Sequence, residues 1–302
     1  MMESFREQAL VFGARKSLVG ILSLPAHAVA VADVPSVVIL NAGVIHRVGP
    51  NRLHVGLART LAGQGFPVLR FDLSGIGDSE KREDALPPAE AALADIRDAL
   101  DHLDSTGRAR GVVLAGLCSG ANYALLSAAA DPRVVGLILI DPYLPRTLGY
   151  YLRHFARRAI RLQSWLDFAR GRHPLWRFIK DRLVRRTTSP AADQPLLSSR
   201  EIHAVFDNAF RVAVERGVQF LGVFTAGRED QHNYREQLLD AYPGVSFGRL
   251  LRLEYFPHSD HTFSSGAERA RLVQLIRDWT RSTAFRRPAA PGSAAPRRDT
   301  ST

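Results

Sequence analysis

The sequence predicts an α/β fold with a mostly parallel central sheet, flanking helices and an inserted helical cap. Apolar runs without polar alternation recur at 36–40, 67–71, 111–115 and 134–140, as expected of strands that are covered on both faces. Helical patterns separate these runs, and alternation of strands with helices implies a parallel sheet with right-handed crossovers. The alternation stops between 143 and 199, where aromatic and leucine residues recur among arginines at helical spacing. That segment predicts the cap.

The remaining elements follow from turn and cap residues. Residues 9–12 and 18–24 predict two strands of a hairpin around 13–16. Residues 52–65 carry apolar side chains at helical spacing, and a second helix opens at Pro87 and Pro88 and closes at Gly107. Beyond the cap, the pattern predicts strands over 219–225 and 251–256 and helices over 233–242 and 267–280.

The same pattern divides the chain into three parts. Residues 1–142 and 200–283 form the predicted core, and residues 143–199 form the helical, basic cap. Pro, Ala, Gly, Ser and Arg dominate residues 284–302, so we predict a disordered tail there.

Composition limits the class of protein. The chain has 302 residues, of which 46% are hydrophobic and 23% charged, values typical of a soluble globular protein. No apolar run approaches the roughly 20 residues of a spanning helix, and the N-terminus lacks the apolar region of a secretory signal. The single cysteine excludes a disulfide framework and a multi-cysteine metal site. We therefore expect a cytoplasmic protein.

The positive charge is concentrated in the predicted cap. Residues 146–186 hold twelve Lys or Arg against two Asp, which matches the net charge of +10 of the whole chain. Three interpretations remain open: a solvated helix face, a contact with an anionic membrane leaflet, or recognition of an acidic substrate such as a sugar polymer. Because no nucleic-acid-binding motif accompanies the charge, we expect no nucleic-acid partner.

Residues 116–120, Gly-Leu-Cys-Ser-Gly, lie between a predicted strand and a predicted helix. This is the pattern of a nucleophile elbow, a sharp turn that strains its central residue and requires glycine two positions before and after. The turn places Cys118 at a helix N-terminus, where the dipole favours the thiolate. Cys118 is therefore the predicted nucleophile, with an inert buried cysteine as the alternative.

A thiol nucleophile needs a base, and the base needs an orienting acid. Asp230 follows the strand predicted over 219–225, and His261 follows the strand predicted over 251–256. Since the order nucleophile, acid, histidine at successive strand ends is a known triad arrangement, we predict Asp230 as the acid and His261 as the general base. Asp141, at the end of the run 134–140, is the rival acid, and its position before Pro142 equally suits a cap boundary.

Four motifs carry a family resemblance: Asn-Ala-Gly at 41–43, His-Arg-Val-Gly-Pro at 46–50, Phe-Asp-Leu-Ser-Gly-Ile-Gly-Asp-Ser at 71–79, and the elbow at 116–120. On these, residues 8–282 resemble α/β-hydrolases and are similar to the hydrolases associated with exosortase A systems in bacterial exopolysaccharide loci. The resemblance implies that 72–79 form a mainly structural turn. Gly75 and Gly77 lack the third glycine of a dinucleotide fingerprint, so we expect no NAD binding.

The resemblance also guides the placement of an oxyanion hole. We predict the backbone N–H groups of Ser119 and Val44 as its donors, because neither requires a particular side chain. His46 lies near the same loop, and we interpret it as a residue that fixes the turn at 47–50 rather than as a substrate contact.

The sequence thus predicts a hydrolase of a carboxylic ester or thioester, acting through Cys118, His261 and Asp230 and an acyl-enzyme intermediate. No metal or redox cofactor is expected, and the partner is a small-molecule or acylated glycan substrate. Two alternatives remain: an acyltransferase of exopolysaccharide metabolism, and a catalytically silent adaptor whose basic cap contacts the inner membrane.

Overall fold

The computed structural model describes residues 5–26, 34–108, 111–159 and 199–285, which form an eight-stranded sheet between two helical layers. The strand order is β1-β2-β4-β3-β5-β6-β7-β8. Strands β1 and β2 form an antiparallel hairpin, β2 pairs antiparallel with β4, and the remaining pairs are parallel. The predicted fold class is confirmed. The strands are β1 Phe5–Phe12, β2 Leu18–Pro25, β3 Ser36–Ile39, β4 Val68–Phe71, β5 Val112–Leu117, β6 Val134–Ile140, β7 Gln219–Thr225 and β8 Leu251–Phe256.

Seven α-helices lie within the described residues: α1 Leu53–Ala62, α2 Pro88–Ser105, α3 Ser119–Ala130, α4 Leu148–Ala159, α5 Ser199–Glu215, α6 Gln237–Ala241 and α7 Gly266–Ser282. Helices α1 and α7 bury their apolar residues against one face of the sheet. Helices α2, α3 and α5 cover the other face. The central strands are buried on both sides, which explains their apolar runs without alternation.

The topology brings the carboxyl ends of four strands to one edge of the sheet. Strands β5, β6, β7 and β8 are neighbours and run parallel, so their carboxyl ends meet at one edge of the sheet. Ligands of open α/β sheets bind in the crevice outside such ends. The chain leaves this edge at Cys118 after β5 and at Asp141 after β6, and His261 follows β8.

One long helix was absent from the sequence prediction. Helix α5 ends the connection from β6 to β7 and packs against α3, with Phe206, Ala209, Phe210 and Ala213 buried. The spacing of these four residues is helical, so the signal was present beside the cap pattern.

The predicted domain limits are only partly within the described residues. Helix α4 occupies the start of the predicted cap, whereas residues 160–198 lie outside the described part. The predicted tail begins at 284, but the ring of Phe285 packs edge-to-face on Trp279 with centroids 5.5 Å apart. Core packing therefore continues through Phe285, and residues 286–302 lie outside the described part. None of the helices in the described ranges is long and apolar enough to cross a membrane.

Candidate active site

The elbow after β5 holds Cys118 in a conformation that few residues adopt. Its φ and ψ are 59° and −120°, and its N–H donates to the carbonyl of Ile140 at 2.9 Å. Gly116 and Gly120 face each other across the turn, so that a Cβ on Gly116 would overlap the backbone of Gly120. A Cβ on Gly120 would overlap the carbonyl oxygen of Asn41. Both glycines are therefore required by close approach, as the sequence pattern predicts.

The thiol of Cys118 is half-buried and lies beside His261. A hydrogen bond with the imidazole lowers the pKa of Cys118, and the backbone N–H of Ser119 and the charge of Arg228 act in the same direction, against the opposing effect of burial. In turn, the hydrogen bond that His261 donates to Asp141, followed by that with Cys118, raises the pKa of His261 to about 9. The pair is therefore shifted towards thiolate and imidazolium relative to the two isolated groups.

The carboxylate that orients His261 belongs to Asp141. Nδ1 of His261 lies 2.8 Å from Oδ2 of Asp141. The N–H and hydroxyl of Thr225 donate to the same carboxylate at 2.7 and 2.6 Å. Asp141 is buried at 2% exposure and has a φ of 45°, a left-handed conformation that Asp tolerates better than most residues. With Nδ1 held in this way, Nε2 is the ring nitrogen available to the sulfur.

Asp141 has a second imidazole beside it. Nε2 of His232, which is fully buried, lies 3.2 Å from Oδ1 of Asp141. The two atoms lie within hydrogen-bonding distance, although neither ring nitrogen of His232 is well aligned with an acceptor or donor among the described residues. Burial raises the pKa of Asp141, but the contacts with His232 and His261 outweigh it and hold the pKa below its usual value. The carboxylate is therefore charged when it faces His261.

The prediction that Asp230 orients the histidine is corrected by this geometry. After Thr225 the chain enters a short 3₁₀ turn, Ala226–Arg228, which carries Asp230 away from the strand end. Its side chain is 63% exposed and accepts a hydrogen bond from Nε of Arg228 at 3.2 Å. The rival acid Asp141, one strand earlier in the chain, takes the position instead.

The loop after β3 lies against the elbow. Residues 42–45 form a turn closed by the N–H of Ile45 and the carbonyl of Ala42 at 3.1 Å. The N–H of Gly43 donates to the hydroxyl of Ser119 at 2.9 Å. The Val44 side chain is 88% exposed, and within the described residues its N–H has no hydrogen-bond partner. The contact of Gly43 with Ser119 brings this turn against the elbow, and the roles of the Val44 and Ser119 N–H groups as oxyanion donors remain predictions.

A buried asparagine, which sequence reasoning used only as part of a motif, holds that turn. Nδ2 of Asn41 donates to the carbonyl of Ile45 at 2.8 Å and to Oδ1 of Asp72 at 3.1 Å. Its Oδ1 accepts the N–H of Leu73 at 2.8 Å. Because Asn41 has no exposed surface, these hydrogen bonds fix the loop relative to the turn after β4. Asn41 is therefore a positioning residue. The sequence signal that could have identified it is a polar side chain placed directly after a buried strand.

The segment 72–79 is a structural turn, in agreement with the prediction. Asp72 is fully buried and accepts from the backbone N–H of Arg47 at 2.6 Å, and the guanidinium of Arg47 contacts both Asp72 and Asp78. His46 accepts the N–H of Val48 at 3.2 Å on Nδ1, which fits its interpretation as a turn residue. His46, Asp72 and Asp78 also lie close enough together to bind a cation, but Arg47 already supplies the positive charge there.

Comparison with known proteins identifies the family. The family described as "Alpha/beta hydrolase family" matches residues 37–275, most of the chain. The chain belongs to the alpha/beta hydrolase family. In this family the strand–elbow–helix unit carries the nucleophile, and Cys118 occupies that position here.

Several solved structures share the fold at low sequence identity. A hypothetical protein from Pseudomonas aeruginosa is 16% identical, with a TM-score of 0.55 over 92% of this chain and 93% of the other. Est1E from Butyrivibrio proteoclasticus is 14% identical, with a TM-score of 0.56 over 90% and 96%. The esterase domain of a Rhodothermus marinus protein is 16% identical, with a TM-score of 0.52 over 92% and 98%. No curated protein sequence matches the chain.

Proposed function

We propose that this alpha/beta hydrolase cleaves a carboxylic ester or thioester through Cys118, His261 and Asp141. The observation that carries the proposal is the pairing of Asp141 with Nδ1 of His261 at 2.8 Å, while the same imidazole lowers the pKa of the elbow thiol. Nucleophile, base and orienting acid are thereby brought together from the ends of three parallel strands.

The proposed reaction has two steps. The thiolate of Cys118 attacks the substrate carbonyl carbon and forms a C–S bond, the bond to the leaving group breaks, and His261 transfers its Nε2 proton to that group. Water then attacks the thioester, His261 accepts a proton from the water, and the C–S bond breaks to release a carboxylic acid and regenerate the thiolate. The N–H groups of Val44 and Ser119 are the proposed donors to the oxyanion of both steps.

The decisive experiment is mass spectrometry of the protein after brief incubation with an activated ester. We expect an acyl adduct on Cys118, which is the single cysteine of the chain, and loss of both adduct and turnover in Cys118→Ala. Unchanged turnover in that variant would remove the proposed mechanism, whereas the lack of both adduct and turnover in the unmodified protein would favour the silent-adaptor alternative.

The acyl acceptor defines the second part of the proposal. Water makes the protein a hydrolase, whereas a sugar hydroxyl would make the same acyl-enzyme a transferase. The resemblance to exosortase A-associated hydrolases supports an exopolysaccharide setting, with an acylated glycan as the substrate to test. Incubation with acyl donor and glycan, followed by product analysis, separates free acid from acylated sugar.

A second candidate function is peripheral contact with the anionic inner membrane, and one face of α4 favours it. Leu148, Leu152 and Phe155 are 74%, 62% and 50% exposed, and their spacing places them on one side of the helix. They lie at the start of the basic segment 146–186, a combination typical of interfacial helices.

Sedimentation with liposomes tests the membrane contact. We expect binding to vesicles that contain anionic lipid, weakened by salt because ions screen the attraction, and reduced binding in the double variant Leu152→Ser, Phe155→Ser. Equal sedimentation with neutral and anionic vesicles would contradict the proposal. Turnover of a soluble ester by the double variant serves as the control for folding.

A further inference from the structure

The guanidinium of Arg228 lies beside the nucleophile, and neither step of the proposed hydrolysis transfers a proton to it or forms a bond with it. Its Nη1 is 3.8 Å from Sγ of Cys118. The side chain is only 20% exposed, so it belongs to the wall of the site rather than to open solvent. A positive charge thus adjoins the atom on which the acyl group would be carried.

The acidic neighbour of Arg228 occupies a different edge of the guanidinium. Asp230 contacts Nε at 3.2 Å and is itself 63% exposed, so solvent weakens this ion pair. The side-chain hydrogen bonds that the described structure gives Arg228 are this one and the contact of Nη1 with sulfur. The Nη edge therefore faces the nucleophile without a carboxylate bonded to it.

Two side chains near the start of α4 hold the loop that follows Arg228. The carbonyl of Asp230 accepts hydrogen bonds from Nε of Arg146 at 2.8 Å and from the hydroxyl of Tyr150 at 3.3 Å, and the carbonyl of Glu229 accepts from Tyr150 at 2.9 Å. The residues preceding and opening α4 thus hold the backbone of residues 229–230, which directly follow Arg228 in the chain.

We infer that Arg228 binds an anionic group of the acyl moiety, so that the preferred substrates are esters or thioesters of dicarboxylic acids. This inference rests on the proposed acyl chemistry at Cys118. Arginine binds carboxylates through paired N–H donors at about 2.7–2.9 Å. An acyl carbon bonded to Sγ would place a carboxylate at the Nη edge if a short spacer joined them, as in a succinyl or malonyl group.

Alkylation of the single cysteine tests the inference without requiring turnover. Iodoacetate is an anion and iodoacetamide is neutral, and both react with the Cys118 thiolate. The ratio of the iodoacetate rate to the iodoacetamide rate therefore does not depend on the fraction of Cys118 that is thiolate. We expect this ratio to exceed that of free N-acetylcysteine and to fall about tenfold in Arg228→Gln, which corresponds to about 1.4 kcal/mol. Arg228→Lys should retain part of the preference.

Arg235→Gln is the matched control, because Arg235 is 55% exposed and pairs with Glu236 at 2.7 Å. It should leave the ratio unchanged. A ratio equal to that of the free thiol, or one that Arg228→Gln does not alter, overturns the anion site. His261 also attracts anions. The effect of Arg228 is therefore measured by the change in the rate ratio on going from the unmodified protein to Arg228→Gln or Arg228→Lys, rather than by the ratio of the unmodified protein alone.

Turnover of two thioesters of N-acetylcysteamine then tests the substrate class. We expect kcat/KM for the succinyl thioester to exceed that for the butanoyl thioester, and Arg228→Gln to lower the first about tenfold more than the second. Equal kcat/KM values, or equal losses in the variant, overturn the substrate assignment while hydrolysis by Cys118 stands. Absence of turnover with a preserved alkylation preference instead overturns the proposed hydrolysis and supports the anion site.

Discussion

At the scale of single residues, the two aspartates near the site have opposite surroundings. Asp141 is buried and receives hydrogen bonds from Thr225 and His261, whereas Asp230 is exposed and contacts Arg228. In a triad, loss of the acid leaves the base in the wrong tautomer and orientation. The residue that orients His261 must therefore be the one whose charge matters for the rate.

Replacement of each aspartate by asparagine separates the candidates. We expect Asp141→Asn to lower kcat for an activated ester about 1,000- to 10,000-fold, as for loss of the acid in serine triads, and Asp230→Asn to stay within about threefold for a neutral ester. Steady-state kinetics on the same neutral ester gives both values. The reverse order of effects would restore Asp230 as the acid.

The thiolate–imidazolium pair predicts a pH profile. Because the pKa of Cys118 is lowered and that of His261 is raised to about 9, hydrolysis should lose rate at low pH, as the thiolate is protonated. It should also lose rate as the pH rises through about 9, where the imidazolium loses the proton for the leaving group.

The iodoacetamide rate isolates the thiol from the rest of the reaction. In His261→Gln we expect the midpoint of the alkylation rate plotted against pH to move to higher pH. Each pH unit of this shift should slow the reaction at neutral pH about tenfold. A midpoint that does not respond to the loss of His261 would show that the imidazole does not control the thiol.

At the scale of elements, the elbow depends on two backbones approaching each other. A side chain at Gly116 would overlap Gly120, and neither residue can move without displacing β5 or α3. We expect Gly116→Ala to lower the free energy of unfolding by about 1–3 kcal/mol and to abolish acylation of Cys118. Urea denaturation and the adduct assay measure the two effects.

Gly56→Ala provides the matched substitution. Gly56 lies within α1, and apart from its two neighbours and the backbone of its own helix no described atom lies within 4 Å of the position that a Cβ would occupy. Alanine there should increase stability by about 0.5–1 kcal/mol because it reduces the entropy of the unfolded chain. If Gly116→Ala and Gly56→Ala had the same effect on stability, close approach of the backbones at the elbow would not explain why position 116 requires glycine.

Elements of this site differ in how far sequence reasoning could locate them. The elbow is a local signal, since the demand for Gly116 and Gly120 arises within five residues. The choice between Asp141 and Asp230 as the orienting acid cannot be made from the residues next to either one in the sequence. It depends on the φ of 45° at Asp141 and on the turn after Thr225, and both aspartates simply follow a strand in the sequence.

A glycine in that turn illustrates the same point. A Cβ on Gly227 would overlap the backbone N of His261, so this glycine permits the loops after β7 and β8 to touch. Nothing near residue 227 in the sequence indicates contact with a residue 34 positions later. Strand and helix positions were predictable because periodicity is local, whereas side-chain partners across loops were not.

At the scale of the whole molecule, the C-terminal helix closes the core through a residue beyond its end. Phe285 contacts Trp279, and a Cβ on Gly136 of β6 would lie 2.7 Å from its ring. The glycine thus leaves room for the aromatic ring against the sheet. This contact joins the end of the described chain to a central strand.

Stability of the full protein should reflect this contact. We expect Phe285→Ala to lower the free energy of unfolding by about 1–3 kcal/mol, and a chain that ends at Phe285 to remain within about 0.5 kcal/mol of the full-length protein. Chemical denaturation of both proteins makes the comparison. A larger loss on truncation than on substitution would assign the stabilisation to residues 286–302.

The position of the orienting acid on β6 has a consequence for how this scaffold can diversify. The loop after β7 need not supply the carboxylate that orients His261. Residues 228–230 can therefore change without breaking the hydrogen bond between Asp141 and His261, provided that Gly227 is kept. Selectivity and chemistry then reside in separate stretches of chain. Directed evolution restricted to 228–230 would accordingly yield enzymes with new acyl preferences that keep the hydrogen bond between Asp141 and His261.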